Sequence, residues 1–310
     1  VDLYGYYEAL RSANSNVMTR IKLGDTLDGR EVFKYSIKYT DRNTGRVKPK
    51  IFINCGIHGG EKACVWAFYE FIKLLLSGVD RNLNILKRNY DIVFIPLANP
   101  YAFDVGQVGG VASARWNSRG VDINRNFGVF WDVYTSDESL QGRQTYKGES
   151  PFSELETQYV RDAVLAEDNL VTYIDLHNFN YVYLPEGHSY IMWISTVSRY
   201  AENCSQCLCD TLFYELSDKY TYLQGEEITY VNRTLNFPYS IAEFEKRLNI
   251  PCYTVEIDEA NLFKTGGYAF DSDVITRGVE LYKNGFIFLA AKSVDFVNSN
   301  LIFIFVWIIN

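Results

Sequence analysis

The stretch Ile51–Cys64, reading IFINCGIHGGEKAC, constrains this chain more than any other. Its first five residues suit a strand covered on both faces, which belongs inside an α/β sheet rather than at a solvated edge. Gly56 ends the run, His58, two glycines and Glu61 follow, and the apolar stretch Val65–Leu76 reads as a helix. A strand end, a Gly-rich turn and a helix start hold side chains rigidly while letting them project clear of the scaffold. An imidazole and a carboxylate three residues apart at such a mouth are expected to bind a metal ion, with a further ligand far downstream.

The remaining chain supplies partners for that strand. Leu3–Ala13 has the spacing of a short amphipathic helix. Thr19–Leu23 and Val32–Tyr39 read as strands around a turn-rich GDTLDGRE, whose Asp-Gly suggests a hairpin. Buried strands are expected at Tyr90–Pro96, Val171–Leu176 and Cys252–Ile257, and helices at Val197–Tyr214, Ser240–Leu248 and Asp273–Ala290. Asn99–Phe127, rich in Gly, Asn and Arg, reads as a long functional loop. In SPFSELETQYVRDAV a helix is expected with Ser150 or Ser153 as N-cap, and Glu156 three residues past Ser153 would complete a capping box. Strands alternating with helices predict a single α/β domain: a central mixed, mostly parallel β-sheet flanked by helices. That domain is expected over residues 1–293, with an apolar tail over 294–310. The tail's LIFIFVWII is too short for a spanning helix, which needs about 20 apolar residues.

Three of the buried-strand runs end in groups able to bind a metal or move a proton. INCGIHGGE carries His58 and Glu61, YIDLH ends in His177, and YTVEIDE carries Glu256. Open α/β sheets form their sites outside the carboxyl ends of strands, and two of the chain's three histidines fall there. His58, Glu61 and His177 together offer two imidazoles and one carboxylate with a fourth position open, the make-up of a catalytic zinc site rather than a structural one. One zinc ion is the expected cofactor. Asp175, two residues before His177, either orients that imidazole or caps the strand end. Glu256 is the candidate general base, against the ordinary reading of a surface carboxylate.

Composition excludes other classes. The net charge is −8, without a long basic run, so a nucleic-acid partner is not expected. The six cysteines do not form a disulfide-framework pattern, and Cys204, Cys207 and Cys209 lack the second pair that a metal cluster needs. Val1 is neither an initiator Met nor preceded by a signal peptide, so the chain reads as a processed product or a fragment.

The motifs HGGE (His58–Glu61), NPYAFD (Asn99–Asp104), RWNSRGVDINRNF (Arg115–Phe127), SPFSELETQ (Ser150–Gln158), IDLH (Ile174–His177) and YTVEID (Tyr253–Asp258) together resemble the carboxypeptidase A-like zinc carboxypeptidases. The resemblance implies hydrolysis of the C-terminal peptide bond, with Glu256 as general base and acid. It further implies that Arg115 stabilises the developing oxyanion, and that Asn124 and Arg125 bind the free carboxylate of a peptide substrate. Tyr230, with Tyr239 as the alternative, would be the tyrosine of the catalytic cleft, and Ile241 would line an apolar specificity pocket. A monomer in a secreted or extracytoplasmic setting is expected from the same likeness. The segment FPYSIAEF resembles members acting on cell-wall peptides, so a γ-D-glutamyl or D,L-peptidase is the alternative. An inactive binding module on the same fold is a third reading, which the retained ligands and Glu256 oppose.

Overall fold

A computed structural model of the chain describes residues 2–40, 47–105, 115–128, 131, 140–179, 191–196, 250 and 252–258, together with 279, 282, 283 and 286. The elements in order are α1 (Leu3–Ala13), β1 (Met18–Asp25), β2 (Glu31–Ile37), β3 (Lys50–Cys55), α2 (Lys62–Ser77), α3 (Arg81–Asn89), β4 (Asp91–Ile95), α4 (Pro100–Val105), a 3-10 turn (Ile123–Arg125), α5 (Leu155–Leu165), β5 (Leu170–Phe179), β6 (Ile191–Thr196) and β7 (Cys252–Asp258).

All seven strands belong to one sheet in the order β1-β2-β4-β3-β5-β7-β6. The middle four run parallel, and β1, β2 and β6 add antiparallel pairings at the flanks. The expected α/β architecture with a mixed sheet is therefore present. Parallel neighbours put the carboxyl ends of β4, β3, β5 and β7 at one edge, and the residues expected to bind the metal lie at that edge or just beyond it.

Alternation along the strands divides the core. Ile51, Ile53 and Cys55 pack with α1, α2 and the residues Ile92, Phe94, Ile174 and Leu176. Phe52, Val93 and Tyr173 pack on the other face against Val160, Ala163 and Val164 of α5. With both faces covered, β3 and β4 need apolar residues at nearly every position, the pattern their sequences carry. Helix α2 buries Val65, Phe68, Phe71, Ile72 and Leu75 against this sheet, and Gly78 ends it in the left-handed conformation at φ 71°. Phe71 also packs edge-on against Tyr282 and Phe286, which brings residues near the C-terminus into the first core. Truncating Phe71 to alanine would cost about 3–5 kcal/mol by cavity formation.

Two expectations change. The start of α5 is not a serine-capped box: Glu154 occupies the N-cap position without a side-chain cap bond. Asn126 explains why. Its Nδ2 donates to Ser150 O and Ser153 Oγ, and its Oδ1 accepts from Glu154 N and Thr157 Oγ1, so a distant amide engages both the serines and the helix start. Nor is Asn99–Phe127 loop throughout. Asn99 Oδ1 accepts from Ala102 N at the start of α4, whose first residue is Pro100, and the 3-10 turn follows Asp122. Helix α3 is an addition to the expected elements, capped by Asp80, which accepts from Asn82 N and Leu83 N. The helices expected at Val197–Tyr214 and Ser240–Leu248, and the tail 294–310, lie outside the described residues. Among those described, no helix is long and apolar enough to cross a membrane.

Candidate metal centre

The turn between β3 and α2 owes its shape to two glycines. Gly56 takes φ +66°, where a side chain is strained, and Gly59 approaches so closely that a Cβ would lie 2.1 Å from Asn99 O. The turn is stitched to the end of β4 by Ala98 N donating to Cys55 O and Asn99 N to Gly56 O, both at 2.9 Å. Glu61 occupies the N-cap of α2, yet its carboxylate caps nothing in that helix. Asn178 of β5 takes over, its Oδ1 accepting from Cys64 N at 3.1 Å, while its own backbone N–H donates to Glu61 Oε2 at 3.1 Å. A helix start capped from another element leaves the Glu61 carboxylate available to the imidazoles.

Both imidazoles turn the same atom toward Glu61. His58 Nδ1 lies 2.8 Å from Oε1 and His177 Nδ1 lies 3.0 Å from Oε2. The outer nitrogens face aspartates, His58 Nε2 at 3.0 Å from Asp122 Oδ1 and His177 Nε2 at 2.7 Å from Asp175 Oδ2. A carboxylate can only accept, so with a metal ion bound at Nδ1 each ring would donate its Nε2 hydrogen to the aspartate behind it. One ligand atom from each of His58, Glu61 and His177 falls within 4.8 Å of the others, and these three are able to hold a metal ion.

The aspartates are themselves anchored. Asp122 is fully buried and accepts from Arg115 Nε and Nη2 at 3.0 and 2.8 Å through its other oxygen. Asp175 accepts from Asn54 Nδ2 at 2.8 Å. Burial would raise the pKa of Asp122, but Arg115, His58 and Arg125 hold it well below the usual carboxylate range. Glu61 behaves alike, with burial opposed and outweighed by the two imidazoles. Burial disfavours a charged His177, yet Asp175 and Glu61 raise its pKa well above the ordinary histidine value.

The other expected site residues are placed as follows. Asn124 and Arg125 form the 3-10 turn that Asp122 initiates by accepting from Asn124 N at 3.0 Å, and Arg125 Nη1 donates to Asn124 O at 3.1 Å. Arg115 reaches the same aspartate, so one buried carboxylate ties His58, Arg115 and the Asn-Arg turn together. Glu256 stands in β7 directly in register with His177 of β5. Tyr230 and Ile241 lie outside the described residues. Of the two readings of Asp175, the bond to His177 supports the orienting one. Asp122 and Asn178 join the site only in the structure. Asp122 sits in the DINRN run, but nothing in that run announces an imidazole partner 64 residues upstream.

This fold and donor set have known counterparts. A model of the zinc carboxypeptidase family matches residues 3–249, and the chain belongs to that family. The zinc carboxypeptidase A 1 of Drosophila melanogaster is 31% identical over 196 residues, covering 61% of this chain and 45% of that protein. The inactive metallocarboxypeptidase ECM14 of Arthroderma otae is 28% identical over 207 residues, or 60% of this chain and 34% of its own length. The chain thus spans less than half the length of these curated relatives. The crystal structure of carboxypeptidase A from Helicoverpa armigera superposes with a TM-score of 0.70, at 20% identity, over 93% of this chain and 71% of the other, which makes the fold common to both.

Proposed function

We propose that the chain is a zinc-dependent metallocarboxypeptidase that hydrolyses the C-terminal peptide bond of peptides. The observation that carries this reading is the convergence of the Nδ1 atoms of His58 and His177 on Glu61, with an aspartate behind each ring. Two imidazoles and one carboxylate fit zinc and leave a coordination position for chemistry. When bound, the ion supplies Lewis acidity that polarises a scissile carbonyl and makes water a stronger acid.

The protein's own groups do the rest. Glu256, in register with His177, takes the proton of the attacking water and returns it to the leaving amine. Arg115, oriented by Asp122, stabilises the charge that grows on the carbonyl oxygen. Arg125 and Asn124 receive the terminal carboxylate, for which a planar guanidinium offers paired donors. Tyr230 and Ile241 complete this proposal on the substrate side, as the cleft tyrosine and the floor of an apolar pocket.

A relative that bears the name inactive makes turnover the decisive measurement. The purified protein should contain stoichiometric zinc and release the C-terminal residue of an N-blocked dipeptide, in a reaction abolished by chelation. Glu256→Gln should keep the zinc and lose about 10²–10⁴-fold in kcat. Near-normal turnover in that variant would refute the assignment, and zinc without hydrolysis in the unaltered protein would refute the activity.

A further inference from the structure

Two thiols bracket the ligand-bearing turn at equal distance. Cys55 ends β3 three residues before His58, and Cys64 lies in the first turn of α2 three residues after Glu61. Both are buried in the same core cluster and neither forms a disulfide in the structure, yet their sulfurs are 4.0 Å apart. Cys64 Sγ lies 3.0 Å from Glu61 O and 3.6 Å from Leu176 O, so it already contacts both ligand-bearing segments. Cys252, the third described cysteine, belongs to the cluster on the opposite face of the sheet.

We propose that Cys55 and Cys64 are a modification site, forming a reversible disulfide that closes the turn carrying His58 and Glu61. The oxidant is a small organic disulfide. One cysteine thiolate attacks it, forming a mixed disulfide and expelling one small thiolate. The second cysteine thiolate then attacks the protein sulfur of that mixed disulfide and expels the other. Two protein thiols are oxidised, one small disulfide is reduced to two thiols, and the two protons pass from the former to the latter. The sulfurs must approach by about 2 Å to reach bonding distance. Closing the short loop removes conformations in which the turn opens, so the two ligands it carries stay poised. Burial of both sulfurs means that exchange proceeds through transient opening of the first turn of α2.

The test starts with the unaltered protein incubated with oxidised glutathione and digested under non-reducing conditions. Mass spectrometry should find the Cys55 and Cys64 peptides joined, and dithiothreitol should separate them. Zinc loaded beforehand should leave the oxidised protein several-fold more slowly than the reduced protein when a chelator is added. Cys252→Ala should leave both results unchanged. Cross-links that favour other cysteines, or none between Cys55 and Cys64 even near the unfolding midpoint, would overturn the proposal. Equal zinc release from the two forms would overturn its effect on the ligand turn. The cross-link itself needs neither zinc nor hydrolysis, so its failure is distinguishable from failure of the proposed activity.

Discussion

Strands β3 and β5 lie side by side in parallel, and each has charged residues near both of its ends. At the amino ends, Glu167 meets Lys34 Nζ at 2.6 Å through one oxygen and Lys50 Nζ at 3.0 Å through the other, and Lys50 also pairs with Asp168. At the carboxyl ends, Glu61 also uses both oxygens, but its partners are imidazoles, which are weak bases and metal ligands rather than fixed cations. The first cluster neutralises itself and has nothing further to recruit. The second gathers three carboxylates around two rings, with Arg115 and Arg125 acting on Asp122. The two ends thus serve different purposes: a partly exposed, matched set of charges ties elements together, and a buried, acceptor-rich set invites a cation.

The largest effect that would break this comparison is expected at His177. His177→Ala should abolish copurification of zinc, as elemental analysis would reveal; zinc at normal content would mean the ligands lie elsewhere. A smaller loss is expected from the groups behind the rings. Asp175→Asn should weaken zinc binding about 10- to 100-fold in a chelator competition, because the amide orients the imidazole less well and does not raise its basicity. Unchanged affinity there would reduce Asp175 to a strand-end cap.

The amino-end cluster should respond in the opposite sense. Glu167→Gln should lower the unfolding free energy by about 1–3 kcal/mol in denaturant titrations while leaving zinc affinity unaltered. A variant that lost zinc instead would remove the distinction between the two ends. The smallest effect concerns pH. Burial raises the Glu167 carboxyl, but hydrogen bonds from Lys34 and Lys50 outweigh it and hold the folded-state pKa below its ordinary value. Stability from this group is therefore complete above the unfolded carboxyl pKa of about 4.3 and is lost as pH falls through the lower folded value. The stability gap between the unaltered protein and Glu167→Gln should be constant near neutral pH and shrink under acid conditions. A gap that widened on acidification would reverse the sign assigned here.

Legibility in the sequence followed the range of the interactions. Helix α1 covers the expected Leu3–Ala13, and β3 and β4 match the expected strands to within a residue or so at each end, because apolar periodicity is a local property. At the start of α5 the local pattern points to a serine cap, but the structure engages those serines with Asn126, more than twenty residues upstream. Helix α3 is short and mostly polar, so it carries little apolar periodicity, and its one local signal is the capping Asp80.

What the sequence by itself determined was a candidate ligand set and its mounting, His58 and Glu61 beyond one buried strand and His177 near the end of another, with Glu256 on a third strand. Strand-length apolar runs followed by His and Glu are sufficient for that, since side-chain chemistry and local periodicity need no partner to be read. Tertiary structure alone decided which nitrogen each imidazole offers and what holds it. The pairing of β3 with β5 set Glu61 between the two Nδ1 atoms, and a turn far from both strands brought Asp122 to His58. Such contacts depend on the sheet's register and on the close approach at Gly59, distances that exist only once the chain has folded back on itself.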